Sequence, residues 1–201
     1  MSAPTSPTTA STPSVPVWDL AVRLFHWSLV LAVATALGLG FLGPKRLLDW
    51  HVFAGYAAAA LVIFRLVWGF AGTTFARFSA FPPSPAAVRA HLSGTHAAAY
   101  GHNPLGALMV YALLAIVLAL AVTGLVALGG ALRQGPLAAL VAYADGRTAG
   151  EIHEWLGWGI AGLVALHIGG VLFESRRERE NLARSMLTGR KRPRHDATPE
   201  T

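Results

Sequence analysis

Residues 153–167 read HEWLGWGIAGLVALH, an apolar stretch with a histidine at each end. On an α-helix, fourteen residues at about 100° each bring His167 back to within about 40° of the face that carries His153. At about 1.5 Å per residue, the two rings lie about 21 Å apart along the helix. This stretch therefore predicts a helix that presents two histidines on nearly the same face, at two different depths.

The composition of the whole chain indicates a membrane protein. The chain has 201 residues, of which 54% are hydrophobic and 13% charged, which is too apolar for an ordinary soluble domain of this length. Apolar segments long enough to cross a bilayer lie at about 20–42, 51–71, 104–128 and 152–173. The sequence predicts one all-α integral membrane domain over residues 17–174, a four-helix transmembrane bundle with both termini on the same side.

The distribution of basic residues predicts the orientation of this bundle, because flanking lysine and arginine residues favour the cytoplasmic side. If the N-terminus is inside, only Lys45, Arg46, Arg133 and Arg147 lie outside. The inner set is Arg23, Arg65, Arg77, Arg89, Arg176, Arg177, Arg179, Arg184, Arg190, Lys191, Arg192 and Arg194. We therefore expect a multi-pass protein of a bacterial inner membrane with both termini cytoplasmic. This topology explains the net charge of +6, and no nucleic-acid partner is expected.

The ends of the chain and its longest loop differ in composition from the apolar segments. Residues 1–16 are rich in serine, threonine and proline, and residues 175–201 are rich in charge. We expect a flexible N-terminal tail and a basic, flexible, cytoplasmic C-terminal tail. In the inner loop, Ser84 or Pro85 is predicted to begin a short surface helix that runs through His91. His91, His96 and His195 are expected to be solvated surface histidines.

Two further histidines lie at membrane depth, near opposite ends of the first two apolar segments. Antiparallel packing would place His26 level with His167 near the cytoplasmic boundary, and His51 level with His153 near the outer boundary. One intramembrane histidine could simply hydrogen-bond a neighbouring helix. Four ionisable side chains that pair by depth are costly in hydrocarbon and favour a functional role. We expect two bis-histidine sites stacked across the bilayer.

The residues around these histidines favour a flat macrocycle over a metal ion. His51 and His153 each begin the pattern H-x-x-x-G-aromatic, and Gly55 and Gly157, without a Cβ, would give a porphyrin edge room beside the helix. Close helix packing is the alternative reading of each glycine. A zinc site needs three or four ligands around one point, which histidines at two depths cannot supply. Because the chain has no cysteine, any haem would be noncovalent, as in haem b.

Two more residues are candidates for contacts with the inner site. Arg23, three residues before His26, could pair with haem propionates, although anchoring at the cytoplasmic boundary explains it equally well. The same roles are open to Arg65 and Arg77, where anchoring is the favoured interpretation. His102 is a candidate quinone or proton contact, and helix capping by the following asparagine is the alternative interpretation.

Several strings in the chain resemble those of the prokaryotic cytochrome b561 and nickel-iron hydrogenase b-type cytochrome family. They are VWDLAVRLFHW at 17–27, HVFAGY at 51–56, RLVWGF at 65–70, ARF at 76–78, GHNPLG at 101–106, IHEW at 152–155 and, at 181–191, NLARSM with the TGRK that follows. The resemblance covers about 15–192. It implies a four-helix bundle with two b haems on His26, His51, His153 and His167. It also implies electron transfer in a respiratory chain between the quinone pool and a redox partner, such as a cytochrome c-like or hydrogenase-like protein.

Two other functions remain open at this point. One is a superoxide:quinone oxidoreductase, which would need a basic funnel at the outer site, with Lys45, Arg46, Arg133 and Arg147 as its candidates. The other is a haem-free membrane anchor or metal transporter, which the lack of carboxylates inside the apolar segments disfavours. Whether the chain is an electron-transfer protein only or a quinone-linked oxidoreductase is also left open.

Overall fold

The computed structural model describes residues 14–94 and 101–192. This part of the chain is almost entirely helical, with one pair of two-residue strands. In chain order the elements are β1 (Val15–Pro16), α1 (Leu20–Leu42), α2 (Leu48–Ala71), α3 (Pro85–Leu92), α4 (Pro104–Gly130), α5 (Tyr143–Arg177), α6 (Leu182–Thr188) and β2 (Arg190–Lys191). Short 3₁₀ turns connect α1 to α2 and α2 to α3.

Four of these helices, α1, α2, α4 and α5, are long and apolar enough to span a bilayer, which confirms the predicted fold class. The last one is longer than the sequence predicts, because it begins at Tyr143 rather than near residue 152 and ends at Arg177. Its 35 residues span about 52 Å, so its ends extend beyond a hydrocarbon core of about 30 Å. We call the side of the bundle where residues 14–19 and 178–192 lie the terminal face, and the other side the opposite face.

Side-chain caps set the starts of four described helices. The side-chain oxygens that accept a backbone N–H from the first turn of α1, α3, α4 and α6 belong to Asp19, Ser84, Asn103 and Asn181, respectively. In α3 and α4 the cap is followed directly by a proline, Pro85 or Pro104, whose fixed φ suits the first helical position. The predicted short helix after the proline-rich loop is therefore present, and the capping role that the sequence allows for residue 103 is confirmed.

The four spanning helices pack in chain order: α1 on α2, α2 on α4 and α4 on α5. Val62 and Ile160 are the most deeply buried large side chains of the described core. Among the described residues, α1 and α5 approach each other little, and the ring of Phe41 stacks on that of Trp158 at 4.4 Å to join them. Many large apolar side chains are exposed, as expected of a surface that faces lipid.

The first and last described segments of the chain contact each other on the terminal face, where we predicted two flexible tails. β1 pairs with β2 in an antiparallel register that matches Val15 with Lys191. Gly189 ends α6 with a positive φ of 80°, and its carbonyl accepts the backbone N–H groups of Val17 and Trp18. For residues 14–16 and 175–192 the prediction of flexibility is wrong, because these contacts order both segments. Residues 1–13 and 193–201 of the predicted tails lie outside the described residues.

Asp19 ties the start of α1 to the end of α2 beside this closure. Its carboxylate accepts hydrogen bonds from the indole of Trp68 at 3.1 Å and from the hydroxyl of Thr73 at 2.6 Å. Burial alone would raise the pKa of Asp19, but the hydrogen bonds from Thr73, Val22 and Trp68 outweigh it, and the pKa is lowered. The side chain is therefore a carboxylate at neutral pH, with several donors around it.

Candidate functional site

His51 and His153 lie side by side near the opposite face, although they are on different helices. His51 is in the first turn of α2, and His153 is in the third turn of α5. Their ring centroids are 5.9 Å apart, and the ring planes are nearly perpendicular, at 81°. The fold thus brings together one of the two pairs that depth predicts.

A backbone carbonyl holds the Nδ1 atom of each of these imidazoles. His51 Nδ1 is 2.9 Å from the carbonyl oxygen of Ala36 in α1, and His153 Nδ1 is 3.0 Å from that of Leu120 in α4. A carbonyl only accepts, so in both rings Nδ1 must carry the proton and donate. The lone pair of a neutral imidazole is then on Nε2, which is the arrangement that metal-binding histidines show.

Two glycines that the sequence analysis did not single out make room for these rings. A Cβ on Gly40 of α1 would lie 3.2 Å from the ring of His51, and a Cβ on Gly124 of α4 would lie 3.0 Å from the ring of His153. The α1–α2 hairpin offers a signal for Gly40, because antiparallel helices around a turn near residue 45 place positions 40 and 51 at one level. Glycine is common in transmembrane helices, so its presence alone is not a signal.

The two glycines that we predicted to leave room for a macrocycle have different surroundings. A Cβ on Gly55 would have no atom within 4 Å among those of the structure, so the helix surface one turn past His51 is open. A Cβ on Gly157 would lie 3.6 Å from the ring of Phe41, an ordinary packing distance. The open surface fits a ligand beside Gly55, whereas helix packing also accounts for Gly157.

The other histidine pair is near the terminal face. His26 is in the second turn of α1, and His167 is in the last three turns of α5. Both histidines therefore lie within about three turns of the helix ends on this face. The Nδ1 atom of His26 is buried and has no hydrogen-bond partner among the described residues, while its ring meets that of Trp27 edge-on at 5.0 Å.

Two arginines near this face also have buried donors without partners among the described residues. Arg65, only 3% exposed, donates Nη2 to the carbonyl of Ala76 at 2.9 Å, but its Nη1 finds no acceptor. Arg23 donates Nη2 to the carbonyl of Leu187, and its Nε finds none. Buried guanidinium donors without acceptors are costly. An acceptor-rich anion on the terminal face would satisfy both.

His102 is packed against two aromatic rings on the terminal face. The ring centroids of Trp18 and Phe81 are 4.7 and 4.5 Å from that of His102, and its Nδ1 is buried without a partner among the described residues. Burial and the positive charges of Lys191 and Arg65 lower the pKa of His102 to about 3. The imidazole is therefore neutral at physiological pH.

The prediction that His91 is a solvated surface residue is wrong. His91 is buried, and its Nε2 lies 3.3 Å from Oε1 of Glu174 in α5. The short helix α3 is amphipathic, and His91, in its last turn, lies on the side that faces the bundle and not on the side that faces water. His96 and His195 lie outside the described residues.

Four spanning helices that carry histidines near both faces, with His51 and His153 side by side, define a class of protein: a membrane protein that can hold a flat, metal-centred cofactor between its helices. Over residues 17–189 the chain matches the family model described as prokaryotic cytochrome b561. The chain therefore belongs to the prokaryotic cytochrome b561 family, as the resemblance indicates. No curated protein matches the chain significantly.

Membership in this family establishes the coarse function. The chain is a multi-pass membrane protein of the b-type cytochromes, with haem binding and a role in electron transfer. The chain is therefore a cytochrome, and the alternative of a haem-free membrane anchor or metal transporter is rejected. Within the described residues, no group of three or more histidine, aspartate or glutamate side chains is placed to hold a metal ion.

Proposed function

We propose that the chain holds two haem b groups, one between His51 and His153 and one between His26 and His167, and carries electrons between the quinone pool and a redox protein. The observation that carries this proposal is the His51–His153 pair. Two imidazoles from separate helices lie 5.9 Å apart, each with Nδ1 against a backbone carbonyl and Nε2 available as a ligand.

The surroundings of the opposite-face pair fit a haem. The carbonyls of Ala36 and Leu120 fix the orientation of the two rings and raise the basicity of their Nε2 atoms. The open helix surface at Gly55 gives a macrocycle a place to lie. A b haem supplies a one-electron carrier, whose iron alternates between the ferric and ferrous states. The helices contribute ligation and the exclusion of water.

The surroundings of the terminal-face pair also fit a haem, for a different reason. A haem b carries two propionate carboxylates, and the buried donors of Arg23 and Arg65 are acceptor-seeking groups of the matching charge. These arginines would bind the propionates while His26 and His167 ligate the iron. Between His153 and His167, α5 rises about 21 Å, so the two sites lie at different depths of the bilayer.

The orientation that we propose follows from the basic residues. The terminal face carries most of the lysine and arginine residues and would be cytoplasmic in a bacterial inner membrane. Quinone would exchange near the terminal face, where His102 is a candidate for a contact. The redox partner would then dock at the opposite face, where cytochrome c-like and hydrogenase-like proteins both remain candidates.

The superoxide:quinone oxidoreductase is not favoured by a specific observation. It needs a basic funnel at the opposite face, but Arg147 is paired with Glu151 at 2.9 Å and Arg133 donates to the carbonyls of its own loop. Lys45 and Arg46 are exposed beside the α1–α2 turn. Electron transfer with a protein partner therefore remains the proposed role.

The experiment is a haem determination on the purified full-length chain in detergent. We expect about two haems per chain, low-spin in both oxidation states and extracted by acid acetone, because all proposed ligands are histidines and the chain has no cysteine. Addition of a quinol should reduce the haems. A stoichiometry of one, or haem that remains in the chain after extraction, would contradict the two-site proposal.

A further inference from the structure

A buried ionic cluster joins α3 to the end of α5 on the terminal face. Glu174 is 8% exposed, and its Oε1 lies 3.3 Å from Nε2 of His91 and 3.4 Å from Nη1 of Arg177. The second carboxylate oxygen, Oε2, is buried and has no hydrogen-bond partner among the described residues. A charged carboxylate oxygen that is buried without a hydrogen-bond donor destabilises the folded protein, and binding a proton removes that charge.

Glu174 lies close enough to the terminal-face histidines to interact electrostatically with a charge bound there. Glu174 follows His167 by seven residues on α5, which returns it to within about 20° of the same helix face, about 10 Å further along the axis. The carboxylate is therefore near the proposed terminal-face haem but does not contact the proposed ligand His167.

The geometry of the cluster also gives a proton two places to reside. Nη1 of Arg177 lies 3.3 Å from Nε2 of His91, and a guanidinium can only donate. If Nε2 accepts from Arg177, it cannot at the same time donate to Glu174. A proton on Oε1 of Glu174, or one on Nε2 of His91, would each allow a hydrogen bond between these two atoms.

We propose that Glu174 and His91 form a proton-binding site whose affinity for a proton rises when the terminal-face haem is reduced. This inference rests on the proposed function, in particular on a haem held by His26 and His167. A quinol that supplies one electron would be oxidised to the semiquinone and release one proton, while the electron reduces the iron. The negative charge added at the iron would be offset in part by a proton that the carboxylate takes from the aqueous phase. The site would couple the electron carried by the bundle to a proton at the quinone-exchanging face.

The expected coupling is large enough to measure. One unit of charge about 10 Å away, at an effective dielectric constant of about 20, changes the proton affinity of a carboxylate about tenfold. Reduction adds negative charge, so it raises the affinity. The midpoint potential of the terminal-face haem should then be higher at low pH than at high pH.

The other charged residues on the elements that pack around Glu174 lie further from it or are exposed to water. On α3 the exposed Arg89 is two residues from His91, and the first two turns of α4 contain no charged residue. On α6 Arg184 is exposed. Beyond the end of α5, Glu178 donates its backbone N–H to the carbonyl of Glu174, and Arg179 is exposed. Glu178 is the carboxylate of the same face that serves as a matched control.

The test combines a redox titration with infrared difference spectroscopy on the haem-loaded, full-length protein. In wild type we expect a pH-dependent potential for the terminal-face haem and, in the reduced-minus-oxidised infrared spectrum, the carbonyl band of a protonated carboxylic acid. Glu174→Gln should flatten the pH dependence and remove the band. Glu178→Gln should keep both, and Glu174→Asp should restore part of both, which a merely structural role would not do.

The outcomes separate this inference from the proposed function. If haem binds at the terminal face but its potential and infrared band are the same in wild type and Glu174→Gln, the proton site is elsewhere. If both glutamine variants shift the potential equally, general surface charge is responsible and the inference fails. Should Glu174→Gln not fold, His91→Gln tests the site differently, because it removes the partner and keeps the carboxylate. The infrared band should then persist at a shifted frequency, and an unchanged band with an unchanged pH dependence would exclude the pair. Failure to bind a haem at His26 and His167 would instead overturn the proposed function.

Discussion

The two histidine pairs differ in what holds their imidazoles in place. At the opposite face, His51 and His153 each donate Nδ1–H to a carbonyl of a neighbouring helix and lie against a glycine. At the terminal face, Nδ1 of His26 has no described partner, and buried donors of Arg23 and Arg65 lack acceptors as well. The opposite-face pair is organised by the packing of helices alone, whereas the terminal-face pair needs further groups.

What surrounds the terminal-face pair comes from distant parts of the chain. The pairing of β1 with β2, the carbonyl of Gly189 under Trp18 and the bond from Arg23 to Leu187 all join residues near position 20 to residues near position 190. A change in these contacts should therefore affect the terminal-face site and leave the opposite-face site intact. This difference can be tested by variants that act on one region only.

The largest expected effect is the loss of one haem. His51→Ala or His153→Ala should each reduce the haem content from two per chain to one, and the double variant should lose no more than either single variant, because both ligate one iron. His26→Ala and His167→Ala should remove the other haem, which has a different midpoint potential. Haem content and redox titration measure this.

The control for these variants is His91→Gln, which is outside both pairs and should retain two haems. A result in which His26→Ala and His51→Ala remove one shared haem would show that the pairing is crossed. The pairing between faces would then be wrong, and the comparison of the two regions would lose its basis.

The next effect concerns the closure of the chain ends. Gly189→Ala should destabilise the protein by about 2 to 3 kcal/mol, since a side chain at a φ of 80° is strained and its Cβ would lie 2.6 Å from the carbonyl oxygen of Trp18. The terminal-face haem should bind more weakly and the opposite-face haem normally. Thermal unfolding and haem retention under dilution measure the two effects.

Gly94→Ala provides a matched control for this variant. Gly94 also has a positive φ, 76°, but its Cβ would meet no atom within 4 Å, so only the backbone strain of about 1 kcal/mol should appear. Equal losses in the two variants, or loss of the opposite-face haem in Gly189→Ala, would mean that the closure does not support the terminal-face site.

The sequence predicts the four helices well because their signal is local. Apolar length, the histidine spacing within α5 and the caps at Asp19 and Asn103 are all contained in short stretches. The strand pair at the chain ends is not predictable in this way, because Val15 and Lys191 are far apart in sequence and two residues form no periodic pattern. Their polar and charged neighbours suggested tails instead.

The same difference between local and long-range signals applies to the residues of the site. Depth along antiparallel helices was sufficient to expect His51 beside His153, whereas the burial of His91 depends on Glu174, a contact between residues 83 positions apart. The role of Gly124 was hidden for the same reason, because only the packing of α4 on α5 places it at the ring of His153. The roles of the four histidines as haem ligands stay a prediction.

A smaller effect should come from the glycines of the opposite-face pair. Gly124→Ala places a Cβ 3.0 Å from the ring of His153, so the ring must move against its bond to the carbonyl of Leu120. We expect haem binding at this site to weaken about tenfold, as for other groups that orient a metal ligand. Gly38→Ala, whose Cβ would meet nothing within 4 Å, should have no such effect. Haem titration of the apoprotein with both variants decides this, and equal affinities would show that the glycine is not needed.

The smallest effect is the acid sensitivity of the terminal face. Because the pKa of His102 is about 3 in the folded protein and about 6.5 in an unfolded chain, the unfolded state binds more protons between these values. Folding stability contributed by the neutral imidazole is therefore complete above about pH 6.5 and falls as the pH decreases toward 3. His102→Gln cannot titrate, so between pH 7 and pH 5 it should lose less stability than wild type, by on the order of 1 kcal/mol. Thermal unfolding across this range measures the difference, and parallel curves for the two proteins would show that His102 is not the acid-sensitive group of this region.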